Sequence, residues 1–273
     1  MRCRSTFWPH AQPGVARLYG TARWHNVAMC CFSRPVDSVS STNIFARPLG
    51  NARQALIYQM AYVSREALAM VLPLPVAANS GENALAFVDL SGSRDLFTQL
   101  AAGFPEPIAA GRSRTVAPTP EPLAVVEVGD FIASFVPSPA DFSRLDDRFR
   151  LSPDIWAALP AYATYGFAVV QLKEGKKRIH PLGLTFPTAM PTRLFFPTLH
   201  IHGSDVPKRA RFDHVLYAQP TEGVPAPRGW DESPQLVRQY MDVAPTAGLI
   251  RPDTHLYRLR ILGVERENAD IIV

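Results

Sequence analysis

Between Tyr165 and His202 the chain runs through short apolar blocks, each cut by a Lys/Gly or Pro cluster. They are Tyr165-Gly-Phe-Ala-Val-Val-Gln-Leu, then Ile179 to Phe186, then Arg193 to Leu199-His-Ile-His202. Short apolar runs bounded by turn residues read as strands, with Lys173-Glu-Gly-Lys-Lys as the turn after the first. The last block ends in a His-x-His pair. Side chains alternate along a strand, so His200 and His202 share one face while Leu199 and Ile201 take the other. This arrangement is either half of a metal site or the wet face of a half-buried sheet, and both readings stand.

The rest of the chain follows the same build. Residues 53–63 read as a strand, and 67–76 as another that is apolar on both faces until Pro73 ends its ladder. The polar turn Ser64-Arg-Glu between them predicts a hairpin. Residues 84–90 add a short strand, and 123–137 two more around Gly129-Asp130. Arg211 to Tyr217 is expected to pair back across 203–208 onto 193–202. Near the end, 255–262 should turn Tyr257, Leu259 and Ile261 inward, and 271–273 closes the chain. Ser93 predicts a helix start ahead of the Leu96/Phe97/Leu100 stripe, with Gly103 beyond its end. Ser138-Pro139, Ser152-Pro153 and Ser233-Pro234 each place a hydroxyl at the N-cap and Pro at the first helical position. The pattern predicts an α+β, β-rich fold: mostly antiparallel strands in two packed layers with about four short peripheral helices.

With 273 residues, 47% of them hydrophobic, the chain can bury a sizeable core. Its 26 prolines are about twice the usual ~5% share, which suits strands with stiff connections. Four stretches follow from composition. Residues 1–28 are an expected disordered leader, or an extension ahead of a start at Met29. Residues 29–104 form an N-terminal β-rich half, 105–122 a Pro-rich linker, and 123–273 a C-terminal β-rich half carrying the helices.

A net charge of +4 suggests nucleic acid until its distribution is read. Arg2, Arg4, Arg17 and Arg23 lie in 1–28 with no acidic residue, which leaves 24 basic and 24 acidic residues in 29–273. A neutral body without a basic stripe is a poor footprint for phosphate, so no nucleic-acid partner is expected. The longest apolar stretch, Ala67 to Ala78, contains Pro73 and Pro75 and falls short of the ~20 residues a span needs. No signal-peptide core precedes it. Cys30 and Cys31 are adjacent and Cys3 lies in the leader, so no disulfide framework is expected and a cytoplasmic location is.

Several weak motifs occur in a recognisable order. Cys30-Cys-Phe is followed by Gln54-Ala-Leu-Ile-Tyr-Gln-Met and Ala69-Met-Val-Leu-Pro-Leu-Pro-Val. Then come Val128-Gly-Asp-Phe, Tyr165-Gly-Phe-Ala-Val and His180-Pro-Leu. In this order the chain resembles a bacterial domain family of unknown function, over roughly residues 30–220. Its members are often secreted and begin with a Cys-containing motif. The resemblance implies no activity and no catalytic residue, and the secretory leader and further cysteines of that family are missing here.

The strongest candidate for chemistry is His200, His202 and His214. If 193–202 and 211–217 were neighbouring strands, the three imidazoles would converge, and that ligand set suits Zn with an open position. If they do not converge, the histidines lie exposed on a polar strand face. Cys30 and Cys31 are either metal-binding or reactive thiols beside Arg34, or small buried hydrophobes. No nucleophile elbow and no phosphate loop is present. Ser204-Asp205 reads as a turn, and Glu66, Asp89 and Asp130 show no pairing. No catalytic residue and no cofactor is therefore assigned. The expected function is a non-enzymatic binding or scaffold domain; the alternative is a hydrolytic metal-dependent enzyme using the three histidines.

Overall fold

The structure, a computed structural model, describes residues 31–105, 132–201, 206–221 and 223–273. The leader, most of the Pro-rich stretch and the Gly129-Asp130 turn lie outside them. In chain order the strands are β1 (Cys31–Phe32), β2 (Ser38–Gly50), β3 (Arg53–Ser64), β4 (Leu68–Leu74), β5 (Ala86–Asp89), β6 (Ala133–Val136) and β7 (Gly166–Leu172). They continue with β8 (Gly175–Arg178), β9 (Leu182–Pro187), β10 (Phe195–Phe196), β11 (Arg209–Ala218), β12 (Asp231–Glu232), β13 (Tyr257–Glu267) and β14 (Ile271–Ile272). The helices α1 (Leu96–Ala102) and α2 (Pro153–Ala158) join several short 3-10 turns.

An eight-stranded sheet has the order β12-β13-β11-β2-β3-β9-β5, with β8 also paired to β3. A four-stranded sheet, β1-β4-β7-β6, lies against it, and β10 pairs with β14. Among the described residues the strand pairings are antiparallel except that of β11 with β2. The fold is α+β and β-rich, as the strand pattern predicts.

Period-two alternation sorts the interior into layers. Ile44, Leu56 and Tyr58 of the large sheet meet Met70, Leu72 and Val170 of the small one in the central core. Their chain neighbours Phe45, Ala55 and Ile57 point the other way, under α1. Ala69, Val71, Phe167 and Val169 line the outer face of the small sheet, covered by Phe142, Phe149 and Ile155. Strand β4 is buried at every position because it has a core on each side.

Four local expectations change. The Ser64 turn does not close a hairpin: its hydroxyl donates to the Glu66 carbonyl at 2.7 Å, and β4 leaves to pair with β7. A strand apolar on both faces needs cover on each, which the small sheet provides. The polar run after β7 is itself half strand, since Gly175, at φ +111, starts β8 along the end of β3. Ser233 starts no helix. Its hydroxyl donates to the Gln235 carbonyl and accepts from the Leu256 amide, tying the segment to the start of β13. Ser93 likewise donates to the Pro245 carbonyl instead of capping α1, although Leu96, Phe97 and Leu100 are buried as expected. No helix among the described residues is long and apolar enough to cross a membrane.

Candidate functional site

Strand β10 stops at Pro197, and residues 197–200 continue without a ladder; Ile201 then bridges to Cys31. Buried amides need acceptors, and here side chains from the C-terminal segment supply them. The Thr198 and Leu199 amides donate to Asp270 Oδ1 at 2.7 and 2.9 Å. The His200 amide donates to Asn268 Oδ1, and Asn268 Nδ2 donates back to the His200 carbonyl, each at 2.8 Å. The Tyr162 hydroxyl donates to Asp270 Oδ2 at 2.8 Å. Burial raises the Asp270 carboxyl to about 6, overcoming the opposite pull of its donors. The same burial, with the carboxylate beside it, pushes the Tyr162 phenol far up.

This strap delivers His200 to the central core. Strand β11 pairs with β2 and β13, not with 193–202, so His200 reaches His214 across the interior and not from an adjacent strand. On β11, alternation turns Phe212, His214 and Leu216 inward. The two imidazoles are stacked, with centroids 5.4 Å apart and 18° between planes. Phe212 stacks on His200 at 4.5 Å, and the Arg266 guanidinium lies 5.4 Å from the centre of the Phe212 ring. Both histidines are fully buried, which corrects the expectation of an exposed polar face. Neither ring nitrogen of His214 has a hydrogen-bond partner among the described residues. Burial pushes His214 down to about 3, with His200 and Arg266 adding to the shift.

His202 lies outside the described residues, as do Cys30, Asp130 and Ser204-Asp205. Among the described residues no group of three or more His, Cys, Asp or Glu side chains is placed to hold a metal. Imidazole lone pairs lie in the ring plane, so stacked, near-parallel rings aim them along separate planes. A metal ~2.0–2.1 Å from both nitrogens requires convergence. The nearby Arg266 also opposes a second cation. Cys31 is buried, and its thiol donates to the Leu199 carbonyl at 3.5 Å. Arg34, the cation expected to activate it, pairs with Glu66 at 2.6 Å. Asp89 accepts from the Ser91 amide in a turn.

Among the described residues, the outer face of the same strands is only partly covered. Val215 of β11 lies beside Arg260 of β13 and Asn43 of β2, and Tyr217 lies beside Arg258. With Phe97 of α1 and Arg178 of β8, they line a solvent-open cleft of about 440 Å³. Arg258 is fixed, its guanidinium 4.3 Å from the centre of the Phe104 ring and 3.1 Å from Asp231. Burial pushes the Tyr217 phenol up to about 12, while Arg258 and Arg260 pull it down. The outward turn of Arg258 and Arg260 follows from the inward Tyr257, Leu259 and Ile261, but nothing local names the strands beside them. Asp270 had one signal, a lone acid ahead of Ile271-Ile-Val273. Its bond to a strap some seventy residues earlier had none.

No family model matches the chain, and no curated protein does. Among solved structures it is similar to baculovirus P35, at 10% identity over 86% of this chain and 96% of that one, with TM-score 0.44. A mutated baculovirus P35 after caspase cleavage gives 12% identity over 85% and 99%, with TM-score 0.42. P35 in the caspase-8/P35 complex gives 10% over 85% and 95%, with TM-score 0.43. A likeness this distant carries no argument about what the chain does.

Proposed function

We propose that the chain is a non-enzymatic binding domain in which the histidine pair belongs to the core. One observation carries this reading: His200 and His214 are both at 0% exposure, stacked between the sheets. A general base must come within hydrogen-bond reach of its substrate, and a catalytic zinc must keep a position open to water. Rings closed in by Phe212 and the two sheets do neither. The resemblance to a bacterial family of unknown function adds no activity to this reading.

The competing reading is a zinc-dependent hydrolase on His200, His202 and His214. It draws on the 5.4 Å between the first and last of these rings. Elemental analysis of protein purified without a His-tag separates the two. The binding-domain reading expects less than about a tenth of an equivalent of Zn, Fe or Mn. Near one equivalent, lost on His214→Ala while the fold is kept, would replace it with the hydrolase.

A further inference from the structure

At the end of the large sheet where β2 turns into β3, the outer face carries arginines held by neutral groups. Arg47 of β2 pairs with Ala55 of β3, and Ala55 with Thr185 of β9. Gln219 extends β11 beside them, its amide donating to the Ala46 carbonyl at 3.2 Å. The segment 246–251 lies across this row. Arg47 fastens it, with Nε donating to the Leu249 carbonyl at 2.8 Å and Nη2 to the Gly248 carbonyl at 2.6 Å. Gln219 fastens it too, bonded to the Arg251 amide and carbonyl at 2.9 Å each. Arg251 is thereby set on one flank of Arg47. On the other, Arg53 shares the face of Ala55 and donates to Thr185 Oγ1 at 3.0 Å.

Arg47 is the unusual member. It is only 8% exposed, yet both of its partners are neutral carbonyls. Its remaining amino group, Nη1, has no hydrogen-bond partner among the described residues and is not sealed from solvent. Burial, with the charge of Arg251 beside it, brings the guanidinium down to about 10, so it stays charged at neutral pH. Arg251 ties only its backbone to the fold; its side chain is exposed and makes no ion pair among the described residues. A buried cation without an acid is unfavourable, and a second cation beside it makes it more so. A bound anion would offset both. We propose that Arg47 and Arg251 bind a phosphoryl group, with Arg47 Nη1 donating to one oxygen and the Arg251 guanidinium to the others. Its charge of about −1.5 to −2 matches two guanidiniums, whereas a carboxylate would leave one uncompensated. The planar donors of arginine also suit phosphate oxygens, which they engage in pairs. Arg53 reaches to Thr185, two strand places from Arg47, so it adds positive field without touching the ligand.

This site gives the binding-domain reading a ligand chemistry, and the two fail separately. Stoichiometric metal would end that reading and leave the two arginines as they are, while a failed anion titration leaves the histidine pair in the core. The test titrates the whole chain by calorimetry with inorganic phosphate and, separately, with phenyl phosphate. Sodium chloride and sodium acetate of equal ionic strength serve as controls. Saturation near one equivalent is expected with phosphate and with neither control. Phenyl phosphate binding as tightly would show that the site takes a phosphate ester, and weaker binding that it takes the free ion; either result upholds it. Arg251→Gln should weaken phosphate binding about tenfold or more, since it removes charge-assisted hydrogen bonds. Arg53→Gln should weaken it only about two- to threefold, as a remote charge does. Arg209→Gln, at the opposite end of β11, should leave it unchanged. Arg47 stays in place, because its loss would also free the Gly248 and Leu249 carbonyls. Unaltered urea midpoints would show that the variants fold. No saturable heat, or acetate binding as tightly as phosphate, would overturn the proposal. Indifference to Arg251→Gln would overturn it as well, leaving an adventitious ion only. So would a single-stranded oligonucleotide that saturates through Arg251 where phosphate does not.

Discussion

Strands β11 and β13 carry polar chemistry on both faces, and the faces behave as opposites. Phe212, His214 and Leu216 turn inward to a closed stack, while Asp213 and Val215 turn outward, half-buried, and Tyr217 turns outward beneath Phe97 and Phe104. One residue of offset separates a histidine that burial holds neutral from a half-buried outer face. The difference lies in what covers each face. The small sheet and the Asp270-held strap seal the inner one, and α1 shades only part of the outer one. Residue type alone would have ranked the histidines above the arginines as a site. The cover reverses that order.

The largest effect should come from emptying the sealed side. Phe212→Ala removes a fully buried ring stacked on His200, and should cost about 3–5 kcal/mol by urea denaturation. Val215→Ala, half-buried on the outer face of the same strand, should cost under about 1.5 kcal/mol. Equal costs would mean that the two faces are not differently covered.

The next effect concerns acid. His214 has a folded pKa of about 3, below its unfolded value near 6.5. Its stabilising contribution is therefore complete above pH 6.5 and is lost as pH falls towards 3. Asp270 has a folded pKa of about 6, above its unfolded value near 3.9. Its contribution is complete below about pH 3.9 and is lost as pH rises through 6. Each slope is about 1.4 kcal/mol per pH unit at most, and between about pH 4 and 6 they oppose each other. Relative to the unaltered protein, His214→Leu should become less stable as pH rises from 4 to 6. Asp270→Asn should become less stable as pH falls over the same range. Urea midpoints at each pH would show the two changes in slope with opposite signs, or deny them.

The smallest effect belongs to the open side. Arg260→Glu, on an exposed residue, should leave stability within about 0.5 kcal/mol. A large loss of stability would show that Arg260 serves the fold.

Much of this architecture was legible in local pattern. The runs that became β3, β4, β7 and β9 are apolar, short and bounded by turn residues, and Leu96, Phe97 and Leu100 declare the buried stripe of α1. What stayed hidden is non-local. Residues 197–200 alternate like a strand, but their amides are met by Asp270 and Asn268 from the chain end, and no period records a bond over that separation. Ser64 and Ser233 depart from the local pattern for a related reason. A hydroxyl near a turn can close a hairpin, cap a helix or fasten a crossing, and the choice belongs to the distant element it meets. The inward turn of His214 was open to parity reasoning once β11 was placed. The burial of both imidazoles was not, because a His-x-His strand end looks the same under a second sheet as it does in water.

The account depends on both imidazoles being sealed in the core, and the ring of His214 reports that directly. Nitrogen-15 and proton NMR of the His214 side chain, titrated from pH 8 to 4 in metal-free buffer, should show the ring remaining neutral throughout. A His214 that protonates near 6.5 in the folded protein, or whose ring nitrogen shifts on addition of one equivalent of Zn, would contradict it.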